Sequence, residues 1–137
     1  MKLAELADHL PLIFASLFVA ILFTQSGLDK VFNFSGNMEW LKGHFSKTFL
    51  APTVPMMVVT ITILEVATGV GTAIGLVYLV VTGTTTIIWY ASIVGAAALC
   101  GLFFGQRVAQ DYPGAAVLVP YFVLQLIVLY LSKPVSV

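Results

Sequence analysis

A chain of 137 residues that is 60% hydrophobic and 9% charged, with a mean hydropathy of +1.05, carries too little polar surface to clothe a water-soluble globule. Six basic residues balance six acidic ones, which leaves no basic patch for nucleic acid and no acidic tail for a solvated partner segment. Cys100 stands alone, so the chain by itself can form neither an internal disulfide nor a CxxC pair or thiolate zinc site, and any redox chemistry must come from a cofactor or a partner chain.

A helix needs about 20 mostly apolar residues to cross roughly 30 Å of hydrocarbon at 1.5 Å per residue. The first such run is 10–28. It follows Glu5 and Asp8 and continues well past Ala15, so it reads as a retained helix rather than a cleaved leader. Residues 29–53 are the most varied stretch: Met38, Leu41, Phe45 and Phe49 recur at helical spacing opposite Glu39, Lys42, Ser46 and Lys47. This pattern predicts an amphipathic helix over 37–49 lying flat at the interface, with Trp40 and Lys42 at headgroup depth. Pro52 and Pro55 punctuate the entry into the second run, 54–80. Gly83 with Thr84 to Thr86 then makes a tight turn into the third, 84–104, and a polar turn holding Arg107, Asp111 and Pro113 precedes the fourth, 115–131. The fold expected is all-α and integral to the membrane: one domain over 1–137, a bundle of four transmembrane helices with an interfacial helix between the first two.

Close backbone approach substitutes for the hydrophobic drive that lipid removes. Two ridges of small residues offer it, Ala67, Gly71 and Gly75 in the second span and Ala97, Gly101 and Gly105 in the third, and they favour tight packing over a roomy cavity.

Glu65 is the sharpest chemical signal. It lies eleven residues, about 16 Å, into the second span, where a charge costs about 2.5 to 3.5 kcal/mol on insertion scales. Thr62, Thr68, Gly69 and Thr72 share its helical stripe, which should face the other helices. Two readings stand: a polar group that ties helices together, or a group that handles a proton. Lys30, Gln25 and Gln125 are the expected partners in a polar cluster, with Lys30 as a headgroup anchor the alternative for that residue. Arg107 and Asp111, four apart, suit a surface ion pair or the capture of an anion. His9 and His44 have no carboxylate or cysteine cluster at metal spacing, so no metal site is expected. Trp89, Tyr90 and Tyr121 read as interface-belt or packing aromatics before they read as a quinone-flanking set.

Gln25-Ser26-Gly27-Leu28-Asp29-Lys30, followed by Glu65 and Gly69 in the second span, resembles the DoxX-like family of four-helix membrane proteins. Gly27 and Lys30 match a Gly-x-x-Lys that closes the first helix; Glu65 and Gly69 match an intramembrane glutamate followed by glycine. The resemblance implies association with membrane redox systems, one branch being the membrane subunit DoxD of a thiosulfate:quinone oxidoreductase. A branch linked to disulfide formation fits poorly, because Cys100 has no partner cysteine.

The function expected is therefore an accessory or structural subunit of a membrane-bound respiratory or quinone-linked oxidoreductase, with other membrane subunits and lipids as partners and with Glu65 tuning a proton or quinone site. The chain alone binds no cofactor; a quinone or lipid belongs at its surface. The alternative is a small carrier or receptor for a lipid or apolar molecule without a redox role. A stand-alone enzyme ranks third, because no nucleophile, base and orienting group share a workable spacing. Location in a bacterial inner membrane follows from the family setting. Lys30, Lys42, Lys47 and Arg107 on one side against Lys2 and Lys133 on the other weakly favour termini outside.

Overall fold

The computed structural model describes residues 2–135, and within them every regular element is a helix. A short α1 (Leu3–Asp8) leads into α2 (Leu10–Phe32); α3 (Phe34–His44) and a single 3-10 turn (Ala51–Thr53) lead into α4 (Val54–Thr82), α5 (Thr86–Val108) and α6 (Tyr112–Ser132). Helices α2, α4, α5 and α6 are each long and apolar enough to cross a membrane, α4 together with the turn before it. The four-span bundle expected from the apolar runs is the fold observed.

Local chemistry sets the helix ends. Gly83 stops α4 in a left-handed conformation, φ 79°, and its N–H donates to the Leu79 carbonyl at 2.8 Å. Glycine at that position avoids the Cβ penalty, so α4 and α5 close into a hairpin over three residues. Asp111 caps α6 by accepting from the Gly114 N–H at 3.0 Å.

The middle of the bundle is held by glycines at helix crossings. A Cβ on Gly69 would lie 2.5 Å from the Thr24 nitrogen, and one on Gly27 would lie 3.0 Å from the Val66 nitrogen, so α2 and α4 pack backbone to backbone. Gly75 admits Ile88 and Gly71 faces the Ala91 methyl, which sets α5 against α4. The ridge predicted on α5 is a correction: Ala97 and Gly101 are exposed and Gly101 meets only the tip of Ile61, whereas Gly95 receives Thr68 and Gln125. Ala67 is likewise exposed.

The segment between the first two spans also differs from the expectation. Helix α2 runs on to Phe32, and α3 covers 34–44 rather than 37–49. Beyond His44 the chain turns through hydroxyl-to-carbonyl bonds, Ser46 Oγ to Gly43 and Thr48 Oγ1 to Phe45, which compete with helix continuation. Phe45, Val54 and Val58 form a second small core here, with Met38, Leu41, Leu50 and Met57 packed against it, while Trp40 and Phe49 stay exposed. By the register of the α2 to α4 crossing, α2 stops about 10 Å short of the level where α4 begins. Helix α3 bends across that gap.

Candidate functional site

The early end of α2 decides where Lys30 sits. Being two residues from the helix terminus, it would anchor at the headgroups had α2 matched α4 in extent; instead it lies level with about Ile63 and turns inward. Its Nζ donates to Glu65 Oε2 at 3.0 Å and Oε1 at 3.3 Å, and to Ser26 Oγ at 3.2 Å. Ser26, one helical turn earlier, donates its own hydroxyl to Glu65 Oε2 at 3.0 Å. The carboxylate therefore accepts from two side chains of α2, and the ammonium and hydroxyl are preset at i and i+4 on one face.

Glu65 is 1% exposed and the Lys30 side chain 17%. An ion pair so placed is weak evidence for stability, since desolvation of two ions offsets much of their attraction, but loss of either partner alone is severe. The close α2 to α4 approach at Gly27 and Gly69 makes the pair reachable, so these glycines belong to the site's construction.

The other expected members of the cluster go elsewhere. Gln25 points away on the exposed side of α2, because the position after it, Ser26, occupies the face toward α4. Gln125 is fully buried but one level higher in the bundle, where its Nε2 donates to the Ser92 carbonyl at 3.1 Å across the α5 to α6 interface. Ser26 is the residue that sequence reasoning missed; the available signal was its position four residues before Lys30.

Arg107 and Asp111 do not pair. Three residues of turn separate α5 from α6, so the helical i, i+4 relation never forms. Arg107 lies over the Tyr112 ring at 4.5 Å, a cation–π contact, and Asp111 is engaged as the α6 cap. Asp111 Oδ2 also lies 3.6 Å from His44 Nε2, which in turn is 3.0 Å from Gln106 Oε1, while the His44 ring stacks on Trp40. A surface cluster thus ties the end of α3 to the α5–α6 turn. Trp89 and Tyr90 touch each other edge to face, with Tyr90 exposed.

Between α4 and α5 runs an apolar groove of about 470 Å³, walled by Leu41, Phe45, Met57, Ile61, Gly101 and Gly105 among others. The tight packing expected of the small-residue ridge does not reach this end of the interface, because Gly101 and Gly105 leave space that α4 does not fill. Among the described residues no cluster of three or more histidine, cysteine, aspartate or glutamate side chains could hold a metal ion.

A family model, DoxX, matches residues 12–98, which include Ser26, Lys30 and Glu65. The chain belongs to the DoxX family. No curated protein and no solved structure matches it. This DoxX protein is a multi-pass membrane protein whose long helices contact lipid.

Proposed function

We propose that this DoxX protein is an accessory subunit of a membrane-bound respiratory or quinone-linked oxidoreductase in a bacterial inner membrane, and that Glu65 is its proton-handling group. The observation that carries the reading is the carboxylate itself: 1% exposed, inside the bundle, held by an ammonium that donates to it and by a hydroxyl that can give or take a hydrogen bond as the charge changes. A purely mechanical tie between α2 and α4 needs no ionisable pair, since apolar residues of similar volume usually serve as well or better. The redox setting is what the resemblance of Gly27, Lys30, Glu65 and Gly69 to the family pattern implies. Lipids and other membrane subunits are its partners, and no cofactor is assigned to the chain alone.

The test is Glu65→Gln in native membranes, together with the charge-neutral double variant Lys30→Gln/Glu65→Gln, with quinone-linked activity of the co-purified complex measured across pH. A changed pH profile at preserved assembly is the expected result. An unchanged profile in both variants would leave Glu65 as a packing group.

A second reading, a carrier for a lipid or apolar molecule, is favoured by the groove of about 470 Å³, whose methionine-bearing wall adapts to irregular ligands. Native mass measurement after gentle extraction separates the two: redox subunits in one mass envelope support the first, a lone chain carrying lipid the second.

A further inference from the structure

Hydroxyls buried in these helices fall into two groups. Thr62, Thr68 and Ser132 each donate to a carbonyl one turn back at 2.6 to 2.7 Å, and Ser92 donates to Trp89 at 2.7 Å, the usual way a hydroxyl is satisfied inside a membrane helix. Ser16 Oγ and Thr72 Oγ1 do not, although both residues are buried to within 1%. Together with Gln125 Oε1 they are the buried side-chain oxygens that find no hydrogen-bond partner among the described residues. Native proteins rarely leave such groups unmet, and an internal water with two to four polar neighbours is the standard partner.

Their placement is ordered. Thr68 and Thr72 follow Glu65 on its own stripe of α4, three and seven residues on. Gly95 meets both Thr68 and Gln125, so the amide sits beside the first of these threonines, and the antiparallel Gly71 to Ala91 contact puts Thr72 about 3 Å along the bundle from the Ser92 that Gln125 grips. The α2 to α4 register then puts Ser16 about 7 Å further along the bundle, and about 9 Å from the start of α2. On the other side of the cluster, Lys30 already reaches the surface.

We propose that internal waters bind at Gln125, Thr72 and Ser16 and, with Thr68, form a hydrogen-bonded line joining Glu65 to the membrane face that holds the start of α2. This rests on the reading of Glu65 as a proton group and supplies its route. A proton leaving the Glu65 carboxyl for the first water is matched by one released at the Ser16 end. The Thr72 and Ser16 hydroxyls reverse donor and acceptor roles in passing it, while Thr68, whose hydrogen stays on the Leu64 carbonyl, and Gln125 hold waters by accepting from them, so no net charge remains on any of the four.

The experiment uses the whole chain in lipid bilayers, with water as the probe. Water-edited solid-state NMR is expected to transfer magnetisation to the Thr72 side chain and the Gln125 amide, and Thr72→Val to lower the transfer at Gln125 about fivefold, the worth of one hydrogen bond. Oriented proteoliposomes given a pH jump on the α2-start side are then expected to show movement of the infrared band that Glu65→Gln removes. Dry Thr72 and Gln125 in the wild type, with Lys30 hydrated, overturn the line whatever the variant does. A responsive band over dry residues overturns the line alone; hydrated residues beneath an unmoving band overturn the line and the proton role of Glu65 together.

Discussion

Two clusters in this protein are made from nearly the same chemistry and differ in burial. Inside the bundle, Lys30, Ser26 and Glu65 join α2 to α4 with the carboxylate 1% exposed; at the surface, His44, Gln106 and Asp111 join α3 to the α5–α6 turn, with the His44 and Asp111 side chains 18% and 30% exposed. Water reaches both partners of the outer contact, whereas in the inner one it reaches the Lys30 end but not the carboxylate. The inner cluster therefore has high stakes in both directions, costly when half broken and dispensable to the fold when replaced whole, whereas the outer one works as a positional contact.

The largest effect that could break this contrast is at Lys30. Lys30→Met alone is expected to cost about 3 kcal/mol or more by stranding Glu65, and Lys30→Met/Glu65→Leu to recover most of it, as read by unfolding in mixed micelles. Equal losses in the single and the double variant would show that the pair itself holds the bundle. Next comes the approach that lets the pair form. Gly69→Ala puts a methyl within 2.5 Å of the Thr24 backbone and should cost about 1 to 3 kcal/mol, while Gly101→Ala, whose nearest neighbour would be 3.8 Å away, should change thermal stability little. The smallest effects belong to the outer cluster. Asp111→Ala should lose about 1 kcal/mol, chiefly through the α6 cap, and Arg107→Ala less than about 0.5 kcal/mol; a larger loss at Arg107 would raise the surface cluster to structural rank.

The spans, the α4–α5 turn and the burial of Glu65 within the bundle were legible in the residues because hydropathy and depth are local properties. What was not legible depended on rotation and extent. Gln25 and Ser26 are adjacent, and only the azimuth of α2 decides which faces Glu65. The α5 ridge failed because a small-xxx-small pattern says that close approach is available and not which neighbour uses it: Gly95, outside the ridge, takes the contact that Gly101 lacks. Arg107 and Asp111 look like a helical pair until a helix end falls between them. The reach of Lys30 required knowing that α2 stops short of α4, which no spacing within α2 reveals.

The inward lysine also bears on how the chain enters the bilayer. Lys30 and Glu65 are 35 positions apart, so during synthesis the cation is committed before the acid has left the ribosome. A lone α4 would meet the translocon with an unmatched acid near its middle, but one that arrives beside an already seated α2 finds its counter-charge waiting. Integration of the second span is thereby expected to depend on the first, and a ribosome stalled between them would hold a half-made protein with its lysine stretched toward the headgroups.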